Sequence, residues 1–222
     1  MPHAWPAERL TAHPARIHGR DPDLAGRRVV LCRPTVPALV LGSTQPVEAF
    51  DPALAAARGL EIVRRHSGGG AVLVRPGGLL WVEVVVPVGD PLWEEDLGRS
   101  FLWLGRAWEE ALRACGVARA GVYEGPLMHS RWSRTICFAG LGPGEVTVAG
   151  RKVVGLSQRR RRDGAVFQCA ALLSWEPDDT AGLLAGPDEE RAELARELSQ
   201  LAGPVGVDEQ TLTTAFTHSL PW

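Results

Sequence analysis

One stretch of this 222-residue sequence repeats its apolar residues at helical spacing, and the stretches on either side of it do not. Phe101, Leu104, Trp108, Leu112 and Cys115 step by three, four, four and three residues, so they share one helix face, and Gly116 supplies the stop. The flanks are short runs rich in β-branched residues. Upstream they lie at 28–32, 38–41, 61–63, 71–74 and 80–86; downstream they lie around 136–138 and at 145–148, 152–158 and 165–175. Pro76-Gly77-Gly78 separates two of them and predicts a hairpin joining 71–74 to 80–86. A short helix is expected over 52–59, ended by Gly59. Two more helices are expected near the C-terminus. One has Pro187 in its first turn and a Leu194, Leu198, Leu201 stripe; the other is capped by Asp208 and buries Leu212 and Phe216. Strands, a helix, strands and then helices, with turn-linked neighbours, read as an α+β fold: a mixed or antiparallel central sheet flanked by helices.

Apolar residues make up 45% of the chain and charged residues 23%, which leaves enough apolar side chains for a core. The net charge of −2 argues against a whole-protein basic field for nucleic acid or an acidic membrane. At roughly 150 residues per domain the length favours one domain, placed at 27–222, with the polar, proline-containing residues 1–26 loosely attached. The longest apolar run, 79–87, is broken by Glu83 and is too short to span a bilayer. The N-terminus has no basic-then-apolar signal pattern, so a cytoplasmic protein is expected; a monomer is also expected. The four cysteines form no C-x-x-C pair and read as reduced; no histidine pair has metal-ligand spacing, so no metal site is expected.

Three segments carry chemistry. In Arg64-Arg65-His66-Ser67-Gly68-Gly69-Gly70, consecutive glycines permit positive φ and close approach to a ligand, while the arginines offer fork-shaped donors to carboxylate or phosphate. The same run also reads as a turn with a solvated basic flank. The second segment holds the sole lysine, Lys152, in Gly150-Arg151-Lys152-Val153-Val154-Gly155. An ammonium at a strand end can polarise a carbonyl or neutralise an oxyanion. As a surface turn residue, Lys152 would be removable at a cost within about 0.5 kcal/mol. The third is Cys137, fifteen residues before Lys152. If the flanking strands pair as a hairpin, both side chains face one pocket and the thiol is a candidate nucleophile; otherwise it is a small buried apolar residue. Cys32 and Cys115 read as buried, and Cys169 stays open. The Arg159-Arg160-Arg161-Arg162 run reads as a solvated loop, a patch for an acidic partner or a grip on nucleic acid, the last disfavoured by the net charge.

Together these segments resemble the biotin/lipoate protein ligase and transferase family over residues 25–200. Arg64-Arg65-x-Ser67-Gly68-Gly69-Gly70-x-Val72 is similar to that family's substrate loop. Gly150-Arg151-Lys152-Val153-Val154-Gly155-Leu156-Ser157-Gln158 is similar to its lysine signature, and Gly42-x-x-Gln45 to an earlier strand end. The resemblance implies an α+β catalytic domain of that type, an acyl tunnel, and attachment of a lipoyl or octanoyl group to a lysine of a lipoyl-domain protein. It implies that Lys152 contacts the acyl carbonyl. It implies that Arg64, Arg65, Ser67, Gly68, Gly69, Gly70, Gly155, Ser157, Gln158, Gln168 and Cys169 line the acyl pocket.

The family divides. Its ligases use ATP and Mg through an acyl-adenylate and usually carry a C-terminal accessory domain, which is not expected here after the helix ending at Gly203. One transferase group uses a cysteine thioester, and its C-F, E-x-x-V and G-R-K pattern resembles Cys137-Phe138, Glu145 to Val148 and Gly150-Arg151-Lys152. The expectation is therefore a transferase with Cys137 and Lys152 as catalytic residues, an acyl-carrier protein as donor and no obligatory cofactor, with the ATP-dependent ligase as the alternative. Two departures stand out: Leu73-Val74-Arg75-Pro76 replaces a common acidic pair, and Cys169 replaces a usual histidine.

Overall fold

The structure, a computed structural model, describes residues 5–221. The chain runs through Ala7–Ala12 (β1), Pro14–Gly19 (α1), Arg28–Pro34 (β2), Ala38–Leu41 (β3), Pro52–Ala57 (α2), Glu61–Arg64 (β4), Val72–Val74 (β5) and Leu79–Pro87 (β6). It continues through Leu102–Ala114 (α3), Ala120–Val122 (β7), Val146–Val148 (β8), Arg151–Arg160 (β9), Gly164–Leu172 (β10), Pro177–Ala181 (α4), Asp188–Leu201 (α5) and Glu209–His218 (α6). Seven strands form one sheet in the order β1-β2-β6-β10-β9-β8-β7, and three form a second in the order β4-β3-β5.

Side-chain alternation along the strands sorts the layers. In β6, Leu80, Val82, Val84 and Val86 face α3 and α6, where Trp108 stacks on Phe216 with ring centroids 3.9 Å apart. The opposite face of β6, with Leu79 and Trp81, meets Ala38 and Val40 of β3 and Val74 of β5. The other face of β3, Leu39 and Leu41, packs on Leu194 and Leu198 of α5. The order is helices, large sheet, small sheet, helices. β6, covered on both faces, reads as one apolar run for that reason.

Three expectations are corrected. Residues 71–74 and 80–86 do not form a hairpin: β5 pairs antiparallel with β3, and β6 pairs with β2 and β10. The Pro76-Gly77-Gly78 turn carries the chain from one sheet to the other, so these segments meet face to face through side chains. Residues 136–138 are not a strand; Cys137–Ala139 is a single 3-10 turn. Residues 1–26 are not a loose lead-in over their described part. β1 extends the large sheet parallel to β2, and Ile17 and Leu24 are buried. Its mostly exposed Ala-Glu-Arg-Leu-Thr-Ala sequence shows little apolar alternation, as suits an edge strand.

Candidate active site

Local backbone geometry places Lys152. Ala149 and Gly150 both have positive φ, 54° and 82°, which matches the right-handed twist of a two-residue hairpin between β8 and β9. The register then slips: Val146 lies opposite Val154, but Thr147 lies opposite Lys152, so Val153 is an extra residue on β9. In a regular strand Lys152 and Gly155 would point to opposite faces. The bulge turns them to the same one, where a Cβ on Gly155 would stand 3.3 Å from Lys152 Cε.

Lys152 is 3% exposed. Its Nζ donates to the carbonyl oxygens of Cys137 (2.9 Å) and Gly140 (3.0 Å) and pairs with Glu145 Oε2 at 2.7 Å. An ammonium has three protons, so all three are engaged. The surface lysine expected from the sequence is instead the buried cation of a saturated cluster. Glu145 is held as firmly. Its Oε2 accepts from Gly142 N–H (2.8 Å) and its Oε1 from Leu156 N–H (3.1 Å).

Cys137 opens the 3-10 turn, and Lys152 binds its carbonyl and that of Gly140 just past the turn's end. Its N–H donates to Ala71 O (3.0 Å), just past the glycine loop. A Cβ on Gly70 would fall 2.6 Å from Cys137 N, so that glycine is required for the loop to lie against the thiol-bearing segment. Gly69 has φ of 97°, a conformation few side chains tolerate. Gln45 ties the same parts together: its Oε1 accepts from Gly42 N–H, and its Nε2 donates to the carbonyls of Arg134 and Thr135.

Two cavities meet at Cys137. A mostly apolar pocket of about 50 Å³ lies between the sheets, lined by Val40, Val72, Val74, Leu79, Trp81, Phe138 and Ala170. Gly155 and Ala170 sit opposite each other on β9 and β10, and their small size hollows the sheet there. The other is an open cleft of about 640 Å³ lined by Gly68, Gly69, Gly70, Glu145 and Lys152. Cys137, Leu156 and Ser157 line both. The inner pocket is bounded by polar groups two residues along the strands, where Gln168 lies between Glu83 and Ser157. Gln168 Oε1 accepts from Ser67 Oγ (2.9 Å), and its Nε2 donates to Glu83 Oε1 (3.0 Å). Glu83, buried in mid-strand, is paired with Arg20. His18 of α1 packs against Trp81 with ring centroids 4.4 Å apart and the rings tilted; burial, then Arg65 and His66, hold its pKa down to about 3, so it is neutral.

A family model described as the lipoyl protein ligase A/B catalytic domain matches residues 12–212. The chain belongs to this family. It is 30% identical over 198 residues to the octanoyltransferase LipM of Moorella thermoacetica, covering 82% of this chain and 70% of that protein. Among solved structures, a bipartite lipoate protein ligase from Thermoplasma acidophilum, described with its E2 lipoyl domain, has a TM-score of 0.73 at 18% identity, over 98% of this chain and 82% of that one. Lipoate-protein ligase A bound with ATP gives 0.72 at 17% identity, over 97% and 83%. At such identities these two structures speak for the fold. As a member of the lipoyl protein ligase A/B family, the chain is an enzyme of the acyltransferase or ligase kind.

Within this family member the structure brings together Cys137, Lys152, Gly68, Gly69, Gly70, Gly155, Ser157 and Gln168 around the two cavities. It reassigns the arginines. Arg64 Nη1 donates to three carbonyls, of Gly42, Ser43 and Gln45. Arg65 donates to Gly68 O and Gly70 O. Arg65 clamps the glycine loop and also lines the inner pocket, whereas Arg64 holds the turn at 42–45 through Nη1. Gln158 is not brought to the site. One residue past Ser157, it lies on the opposite face of β9 and accepts from Arg160. Cys169 contributes to the pocket wall, but it belongs to the core cluster that holds Trp108, and burial pushes its thiol up to about 12. Three of the four arginines at 159–162 are engaged within the chain: Arg159 and Arg161 with Asp21, and Arg160 over Trp93.

Sequence reasoning missed two site residues. Glu145 was visible only as part of a strand pattern, though its place seven residues before the sole lysine was a usable signal. His18 carried none, because it lies in the segment read as loosely attached.

Proposed function

We propose that the enzyme moves a medium-chain acyl group, of octanoyl type, from an acyl-carrier thioester to a lysine of a lipoyl-domain protein through a thioester on Cys137. The observation that carries this reading is the position of Cys137, the one cysteine at the junction of the apolar pocket and the open cleft. The acyl chain lies against Val40, Val72, Ala170 and Trp81. The Cys137 sulfur attacks the carrier thioester; the new carbon–sulfur bond replaces the old one, and the carrier thiol leaves with the proton. The acceptor amine then attacks the Cys137 thioester, forming an amide and returning the thiol. Lys152 meets each oxyanion by exchanging one of its carbonyl partners for the substrate oxygen.

The test is intact mass after incubation with an octanoyl-carrier protein. One octanoyl group should be added and removed by neutral hydroxylamine, which cleaves thioesters and spares amides. Cys137→Ser should lose the adduct and transfer; Cys169→Ser should keep both. Full transfer by Cys137→Ser that depends on ATP would replace this reading with the ligase one.

A further inference from the structure

The proposed transfer ends with a lysine side chain attacking the Cys137 thioester, and that side chain arrives protonated. A lysine side chain has an ordinary pKa of about 10.4, so at neutral pH about one amine in 2,500 carries a free lone pair. A base beside the thioester offsets that shortage. The side chains around the cleft leave one candidate. Lys152 donates to three acceptors and meets the oxyanion as a cation, so it has no lone pair to offer. Glu145 is the counter-charge of Lys152, and both its oxygens already accept N–H groups. The Arg134 guanidinium does not give up its proton. His18 borders the inner pocket and not the cleft, and burial makes it a weak base. Among the described residues lining the cleft, His129 is the side chain left to take a proton.

The fold sets His129 near the reacting groups and fixes its tautomer. Met128 N–H donates to Leu141 O (2.8 Å) and Leu141 N–H to Met128 O (3.2 Å), an antiparallel pair. The next step along that pair brings His129 beside Gly140, whose carbonyl binds Lys152. His129 lines the open cleft and also a cavity of about 180 Å³ that Gly140 and Lys152 border too. Ser133 Oγ spends its one proton on Ser130 O (3.0 Å), so toward His129 Nδ1, 3.3 Å away, it can only accept. Nδ1 therefore carries the hydrogen, and Nε2 is left with the lone pair.

We propose that His129 is the general base of the second half-reaction: its Nε2 takes a proton from the acceptor ammonium as the amine attacks the Cys137 thioester. This rests on the acyl-transfer reading above and adds a catalytic residue to it. The protons balance. The ammonium gives one to His129 Nε2, which releases it to solvent. The carbon–nitrogen bond forms and the carbon–sulfur bond breaks. The second proton passes from nitrogen to the Cys137 sulfur and restores the thiol.

The experiment compares two nucleophiles that differ in their need for a base. Full-length protein carrying one octanoyl group on Cys137 is freed of donor and chased at neutral pH with N-acetyl-lysine methylamide or with hydroxylamine. Loss of the adduct is followed by intact mass. The lysine amide arrives as an ammonium; hydroxylamine is largely unprotonated and needs no base. His129→Gln should load as the wild type does and keep its rate with hydroxylamine. Its discharge by the lysine amide should fall on the order of a hundredfold. A structural role alone would slow both nucleophiles together.

Equal slowing of both nucleophiles, or of neither, overturns the proposal. So does a His129→Gln protein that cannot be loaded, or a wild-type adduct that the lysine amide discharges no faster than water. Ser133→Ala keeps the imidazole and releases its tautomer. It should slow the lysine amide less than His129→Gln does; a larger effect would place the role in the turn and overturn the assignment to the imidazole. The two readings fail separately. Absence of the Cys137 adduct in the wild type removes the transfer step and the base with it. A loaded protein whose two nucleophiles respond alike to His129→Gln removes the base and leaves the transfer step standing.

Discussion

Replacing Lys152 by methionine tests the site and the fold at once. The methionine keeps the stem's length and removes the charge. Glu145 would remain buried, at 6% exposure, with two backbone donors and no cation, and the carbonyls of Cys137 and Gly140 would lose their common donor. Breaking one side of a buried pair costs about 3–5 kcal/mol. For a chain of this size each kcal/mol lowers Tm by about 2–4 °C, so the drop should be roughly 6–20 °C. Glu145→Gln alone leaves a neutral acceptor beside Lys152. The double variant Lys152→Met/Glu145→Gln removes both charges, so its loss should be smaller than the sum of the single losses by about 1–3 kcal/mol. Urea unfolding of the four proteins closes the cycle, and Cys137 acylation by octanoyl-carrier is read in parallel. Acylation should fall in both Lys152 variants, including the double variant that regains stability. A Lys152→Met protein within about 0.5 kcal/mol of wild type, as for an ordinary surface position, would refute the buried-cation argument.

Gly70→Ala should push the Ile136–Cys137 backbone away from the glycine loop, because the added Cβ would lie 2.5 Å from Ile136 C. The rate of Cys137 acylation should fall on the order of a hundredfold; wild-type acylation with an unchanged Tm would show that the contact is dispensable. Iodoacetamide mapping by mass should find Cys137 modified well before Cys32 and Cys169, whose thiols burial raises; faster labelling of either buried cysteine would contradict the packing. His18 makes stability acid-sensitive. The unfolded chain protonates it near 6.5 and the folded chain only near 3, so stability falls as pH drops through that window. The slope reaches at most about 1.4 kcal/mol per pH unit. His18→Phe, which keeps a ring on Trp81, should remove that slope from the urea midpoints, and an unchanged slope would refute the assignment.

Much of this protein is written locally. The helical stripe of Phe101 to Cys115 and the β-branched runs at 28–32, 38–41 and 152–158 form the elements their period dictates, because side-chain spacing alone decides which faces can be buried. The glycine loop and the Gly150-Arg151-Lys152 segment are legible for the same reason: each is a contiguous backbone requirement. What the period leaves open is which strand hydrogen-bonds to which. The residues at 71–74 and 80–86 are two apolar, β-branched runs joined by a turn, as in a hairpin, yet they sit in different sheets and meet through Val74 and Trp81. The Val153 bulge exists only because β8 and β9 pair with a slip, and that slip decides that Lys152 points inward, toward Cys137 and Glu145. Arg64 and Arg65 have the composition of an anion site, but in the folded molecule carbonyls of the 42–45 turn engage Arg64 and carbonyls of the glycine loop engage Arg65. Chemical type is fixed residue by residue along the chain. The partner that satisfies each charge and each donor is fixed by distance in the folded molecule, which couples residues far apart in sequence.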